Sequence, residues 1–190
     1  MQEQTTIEQI DFNSLSLEQL QNLNSLFKTL IEERKKDPTR EYPLTTEERE
    51  TFFAVGFYLH KKENECDKIS IGDIFHSSWG YDQTNVEFFK VVEISPSGKT
   101  CQVIQIGSKT VPGSEGFMSD SVIPDPKTII VNETCRVKIE RSHLQNPITD
   151  QYEAVGKFQL RGSVWYAQGH GKHLQSLYRI NGSTNRSWYA

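Results

Sequence analysis

"SSWGYDQTNVEFFKVV", Ser77–Val92, changes character at its midpoint. Up to Asn85 it is crowded with hydrogen-bonding side chains and two large aromatics. From Val86 it is β-branched and aromatic, the composition of a strand. Gly80 is suited to a positive-φ turn. Asp82, Thr84 and Asn85 can bond nearby backbone and close an Asx-type turn. A turn that feeds a strand decides the fold class, because the pattern is strand-like from Ile69 onward, as in "IGDIFHSS", whereas residues 15–62 read as helix.

The preceding chain is organised in two apolar stripes. "SLEQLQNLNSLFKTLIEERKK" places Leu20, Leu23, Phe27, Leu30 and Ile31 three and four apart, with Ser16 and Gln19 at capping-box spacing. Arg34, Lys35 and Lys36 complement the dipole of its last turn, and Asp37-Pro38 stops it. "LTTEERETFFAVGFYLHKK" repeats the pattern, with Thr45 and Glu48 as its cap and Phe52, Val55, Tyr58 and Leu59 on one face. The reading is a flexible leader over residues 1–14, a helical hairpin over 15–62 and a β-rich domain over 69–190. Leu23, Phe27, Phe52 and Tyr58 are expected to pack on the sheet.

Beyond the motif, strand follows strand. "NVEFFKVVEIS" ends in a turn at Pro96-Ser97-Gly98. In "KTCQVIQIG", Cys101, Val103 and Gln105 share one face, and Gln102, Ile104 and Ile106 the other. Neither face is cleanly polar, which predicts a bulge or burial on both sides. A Gly-, Pro- and Ser-rich loop is expected over 108–126, then strands at "TIIV" and "TCRVKIE". "EAVGKFQL", "GSVWYAQ" and "LQSLYRI" complete the set. The fold class is therefore α+β: an N-terminal helical hairpin packed on a small, mostly antiparallel sheet or an SH3-like or OB-like barrel.

Composition narrows the function. At 190 residues and a net charge of −4, the chain is no basic coat protein. Its charge is uneven. Residues 1–70 carry nine Lys/Arg against fourteen Asp/Glu, whereas residues 126–190 carry nine against four. Three widely spaced cysteines, Cys66, Cys101 and Cys135, form no CxxC pair. They point to free thiols in a reducing cytoplasm rather than to a zinc ribbon. Neither a signal peptide nor an apolar run of membrane-spanning length is visible. No metal, cofactor or membrane partner is expected.

The motif also has a binding reading. Trp79 and Tyr81 offer stacking faces, while Asp82, Gln83 and Asn85 offer acceptors and amide donors suited to base or sugar edges. A partner protein's loop would suit them too. "GDIFHSSWGYDQTNVEFFKVV" resembles a segment of small uncharacterised proteins encoded by phages, plasmids and other mobile elements. The matching positions include Gly72, Asp73, Trp79, Gly80, Tyr81, Asp82, Gln83, Thr84, Asn85, Phe88, Val91 and Val92, and the similarity spans residues 71–106. It implies a mobile-element context and no mechanism. The expected function is non-enzymatic binding of nucleic acid, single-stranded by preference, or of a nucleic-acid-handling protein, through Trp79, Tyr81, Asp82, Gln83 and Asn85. Arg136, Lys138 and Arg141 form a weaker basic contribution.

Two other classes stand beside it. A small nuclease or other hydrolase would use Asp82 with Glu87 or a histidine. An interaction module would dock a protein through the helical hairpin. His170 and His173 in "GHGKH" are three apart, with His76 and His143 as distant third ligands, but the flanking glycines favour a loop. Cys101 with His76 as a nucleophile pair has no local support, since a cysteine in a strand is more often core.

Overall fold

The computed structural model describes residues 10–166 and 171–188. The chain divides into two compact units. One combines Met1–Asp67 with Ser142–Lys157, and the other combines Lys68–Arg141 with Phe158–Ala190.

In the first unit, α1 (Leu17–Arg34) and α2 (Thr46–Glu65) begin at the predicted capping boxes of Ser16 with Gln19 and Thr45 with Glu48. Arg34 closes the hairpin by donating to Glu48 Oε2 at 2.6 Å and to the Pro43 carbonyl at 3.3 Å. Leu20, Ala54, Val55, Phe57 and Tyr58 form a core. Phe12, expected in a flexible leader, is 1% exposed and stacks on Tyr58 at 5.5 Å. Leu144 and Val155 pack on the same cluster, as do the partly buried Leu23 and Phe27. Phe52 meets the Phe27 ring at 5.6 Å. The stripe is thus covered from within the unit, by Phe12 and by a segment more than 75 residues further on,. That segment carries the short pair β5 (Leu144–Gln145) and β6 (Tyr152–Glu153). Asn146 donates to Glu153 Oε1 at 2.6 Å, and Lys61 to Glu153 Oε2 at 3.2 Å, tying it to α2.

The second unit is a closed antiparallel barrel. Its strands are β1 (Ile74–Trp79), β2 (Asn85–Ile94), β3 (Thr100–Thr110), β4 (Ser119–Arg141), β7 (Phe158–Trp165) and β8 (Lys172–Arg179). They follow the spatial order β3-β2-β1-β8-β7-β4, and β3 pairs with β4 to close the ring. Phe75, Phe89, Val91, Cys101, Val103, Cys135, Val137, Leu160, Val164 and Leu177 fill it. Gly162 lets β7 cross close to β4, since a Cβ there would lie 2.9 Å from Val137 Cγ1 and 3.1 Å from the Arg136 carbonyl oxygen.

The predicted loop over 108–126 is mostly strand. β3 runs to Thr110, and β4 is a single 23-residue strand from Ser119 that pairs Val122, Ile123, Pro124 and Asp125 with Thr110, Lys109, Ser108 and Gly107. The register slips at Val103/Gln105, Gln105/Ile106 and Ile106/Gly107. Those irregularities bend the hairpin and accommodate the prolines, whose missing N–H groups a regular ladder would need. β9 (Thr184–Ser187) then pairs with the start of β4, while the Ser187 amide donates to the Thr84 carbonyl at 3.0 Å. A second, smaller ring of β2, β3, β4 and β9 results, with Phe88, Ile106 and Val122 inside. β3 serves both rings, which is why its two faces are both apolar.

Candidate functional site

The barrel interior changes character along its axis. On β1 the core-facing sequence runs Phe75, Ser77, Trp79. On β2 it runs Phe89, Glu87, Asn85, in register with those three. On β3 it runs Val103, Gln105, Gly107, and on β8 Leu177, Gln175, His173. Each strand passes from apolar to polar toward the same end. Ser77, Glu87 and Gln105 are nevertheless buried.

That end is also where the wall parts. β1 and β8 pair only at Phe75↔Arg179 and His76↔Tyr178. Further along, side chains replace the ladder. Ser77 Oγ donates to Gln175 Oε1. The Trp79 ring lies 4.1 Å from that of Tyr166, which lies 4.7 Å from His173.

A cavity of about 300 Å³ opens beside this polar end, lined among others by Trp79, Asn85, Glu87, Gln105, Gly107 and Arg186. Gln105 Nε2 donates to Glu87 Oε1 at 3.3 Å. Three buried polar atoms here have no hydrogen-bond partner: Trp79 Nε1, Asn85 Nδ2 and Gln105 Oε1. Gln105 is only 3% exposed. Leaving a buried donor or acceptor unmade costs about 1–3 kcal/mol each. All three belong to residues that line one cavity. Arg186 at the rim is held in a bidentate pair with Asp120, at 3.1 and 2.7 Å, and Thr110 donates to the same carboxylate at 2.9 Å. The Arg186 hydrogen bonds hold the Asp120 carboxyl below its ordinary pKa, against the opposing effect of burial.

The predicted motif residues divide between two environments. Trp79 and Asn85 face each other across β1 and β2 and line the cavity. Tyr81, Asp82 and Gln83 lie on the exposed turn, Tyr81 fully in solvent. Gln83 Nε2 donates to Asn85 Oδ1 at 3.4 Å, and Asn85 Nδ2 lies 3.4 Å from where a Cβ on Gly80 would sit. Gly80 has φ +123°, and a Cβ there would sit 1.8 Å from the Gln83 carbonyl oxygen. The turn reading is therefore realised over residues 80–83, while Trp79 and Asn85 belong to the cavity wall. Asp82 is exposed whereas Glu87 is buried inside the barrel, so the hydrolase pair is split between solvent and core. Gln105 and Arg186 were missed. The signal for Gln105 was its phase: a polar residue in step with the buried Cys101 and Val103. Arg186 is marked in the sequence only as one of nine basic residues interleaved with aromatics over 126–190.

Comparison with protein-family models, with curated proteins and with solved structures returns no match.

A groove of about 600 Å³ runs over the barrel's outer face, lined by Thr100, Arg136, Lys138, Glu140, Arg161 and Leu174 among others. Lys138 stands directly opposite Arg161 in the β4–β7 ladder. Like charges across a strand pair are unfavourable unless something neutralises them. Arg141, grouped with Arg136 and Lys138 from sequence, has the opposite phase and lies over the Phe158 ring at 4.1 Å. Among the described residues no cluster of three His, Cys, Asp or Glu is arranged to hold a metal. His170 lies outside the described residues. His76 is half-buried, and burial pushes its pKa below the ordinary imidazole value. Burial raises the Cys101 thiol to about 11, so it is held protonated at neutral pH.

Proposed function

We propose that this chain is a non-enzymatic nucleic-acid-binding protein that takes an unpaired base into the polar end of its barrel. The observation that carries the reading is the convergence of the unpartnered Trp79 N–H, Asn85 NH₂ and Gln105 carbonyl around one cavity beside the Glu87 carboxylate. A volume of about 300 Å³ is at the low end for ligand pockets and suits one planar ring system. Mixed donors and acceptors at its wall match a base edge and would be wasted on a purely apolar ligand. Inside a duplex that edge is already paired, so a single strand is the economical ligand. Arg136, Lys138 and Arg161 supply a basic track for phosphates, and the exposed Tyr81 offers a stacking face. The phage-like resemblance over residues 71–106 supports a mobile-element setting. Three free cysteines, two of them buried, support a reducing cytoplasm. Among the described residues no helix is long and apolar enough to cross a membrane.

Titrating fluorescent oligonucleotides at two salt concentrations tests this. Single strands should bind better than duplexes, on the order of micromolar at low salt. Replacing Arg136, Lys138 and Arg161 together should reduce the log–log salt slope by about 2. Asn85→Ala should weaken binding and leave that slope unchanged. An absence of binding at low salt would transfer the motif to a protein partner.

A further inference from the structure

The outer face of the barrel carries groups that the cavity does not use. Resting on the nucleic-acid reading above, though not on the cavity, we infer that a single strand crosses the outer face of β4, β7 and β8. Its phosphates lie over Arg136, Lys138 and Arg161, and one of its bases stacks on Tyr178. Strand alternation places these side chains on one side of the sheet. On β4 the core residues are Cys135 and Val137, so Arg136 and Lys138 face outward. On β7 Leu160 is inside and Arg161 outside. On β8 Leu177 is inside, and Leu174, Ser176 and Tyr178 are outside. The register Lys138↔Arg161↔Ser176 makes one row across the three strands. Tyr178 stands two positions along β8 from that row, and Leu174 two positions the other way. The face is open to solvent: Tyr178 is 53% and Leu174 65% exposed, and the three cations are exposed.

Charge and ring chemistry together specify the ligand. Elsewhere on the barrel, cations are answered by carboxylates: Lys172 by Glu133, Arg179 by Asp73 at 2.8 Å and Arg186 by Asp120 at 2.7 Å. Arg136 instead reaches the neutral Thr100 hydroxyl at 3.4 Å, and Lys138 faces Arg161. Like charges directly opposite repel, and a phosphate between them turns the repulsion into charge-assisted hydrogen bonds. Glu140 lines the same groove and stands in the next row, Glu140↔Gln159↔Tyr178. Its carboxylate keeps phosphates off that row, so the uncharged base, and not the backbone, falls toward Tyr178. His76 bounds the Tyr178 ring on the β1 side, with its centroid 6.5 Å away. Aromatic rings beside a cationic track hold single strands with little regard to sequence, since every base has a π-face. Neighbouring strands are about 4.8 Å apart, which brings β8 within about 10 Å of β4. Adjacent nucleotides of one strand can therefore use both. In a duplex the bases are stacked on one another and leave Tyr178 nothing to receive.

The test uses the full chain with a fluorescent oligothymidine and an abasic sugar-phosphate strand of the same length, followed by anisotropy at two salt concentrations. Tyr178→Ala should weaken oligothymidine binding about 5- to 150-fold. It should leave the affinity for the abasic strand and both salt slopes unchanged, because a ring is lost and no charge is. Tyr178→Phe should bind as wild type, since the ring is kept. Tyr178→Leu, apolar without a ring, should behave as Tyr178→Ala and serves if the alanine variant does not fold, which circular dichroism melting establishes. Arg161→Gln should weaken both strands and reduce the log–log salt slope by about 1. Full-strength oligothymidine binding by the folded Tyr178→Ala or Tyr178→Leu protein would overturn the platform while leaving the nucleic-acid reading intact. So would a loss that the abasic strand shares or that Tyr178→Phe repeats. Failure of the wild-type protein to bind either strand at low salt would overturn both. A weakened Tyr178→Ala protein beside an Asn85→Ala protein that binds as wild type would support the outer face and take the base out of the cavity.

Discussion

Gly80 is the residue on which the motif turns. Its φ of +123° is closed to other side chains at low cost, and the Gln83 carbonyl occupies the space of a Cβ. Gly80→Ala should destabilise the protein by about 1–3 kcal/mol in chemical denaturation, and it should displace the flanking Trp79 and Asn85. The base binding proposed above would then fall even under conditions where the variant is fully folded. Asp120 is the second informative residue, 5% exposed and paired with Arg186 at the cavity rim. Its pKa is lower in the folded protein than in the unfolded chain. A depressed carboxylate contributes stability above its unfolded value of about 4, and the contribution is lost as pH falls through the folded value. Asp120→Asn should therefore melt at a lower temperature than wild type near neutrality. The difference should shrink as the pH is taken below about 4, where Asp120 of the unfolded chain takes up its proton, and it should vanish below the lower folded value. A melting difference that stays constant between pH 7 and pH 3 would show that the pair's charge is not what stabilises it.

At the scale of elements, β3 carries the most unusual burden. Its odd-numbered residues from Cys101 to Gln105 belong to the six-stranded barrel, and Ile104 and Ile106 to the smaller ring. The slips at Val103/Gln105 and Ile106/Gly107 are where the strand passes from one ring to the other. Gly107 permits the passage, since a Cβ there would meet Thr128 Cβ at 2.9 Å. The same burial silences two thiols. Cys101 and Cys135 line the barrel core, whereas Cys66 at the end of α2 is exposed. A thiol reagent at pH 8 should label one cysteine quickly and the other two only at the rate of barrel opening. Denaturant should release all three at once. Fast labelling of a second thiol in the native protein would mean that the barrel opens locally at β3 or β4.

At the scale of the whole molecule, the chain leaves the barrel after Arg141 and returns at Phe158, and these two residues are partners in the β4–β7 ladder. The segment between them completes the helical unit with Leu144, Val155 and Asn146. Residues 68–190 with Ser142–Lys157 replaced by an Asn-Gly turn should fold cooperatively, because a two-residue hairpin can join directly opposed strand ends. Among the described residues, the barrel's apolar clusters draw on none before Ile69. Deleting only residues 1–60 is a different experiment. It removes Phe12, Val55 and Tyr58 from around Leu144 and Val155, and exposure of that apolar surface should cause aggregation. Analytical ultracentrifugation of the two proteins separates the outcomes. A shortened barrel that aggregates as readily as the simple deletion would show that the helical unit is needed for the barrel to fold.

Local periodicity determined the helices, since a capping box and an i, i+3, i+4 stripe need no distant partner to be recognised. Ser16, Gln19, Thr45 and Glu48 do in the structure what their spacing requires. It also determined that β3 is apolar on both faces and that the motif ends in a strand. What the stripe packs against was decided only in three dimensions: β1 to β4 of the barrel lie between Phe12 and Val155 in the sequence, and no local pattern links them. The long β4 was hidden by Pro124 and Pro126, which read as loop because strand propensity is judged without knowing where a ladder is irregular. The site followed the same rule. Trp79 and Asn85 were legible as hydrogen-bonding residues at a turn, but their convergence with Gln105 and Arg186 arises from the strand register and ring closure, which are properties of long-range pairing.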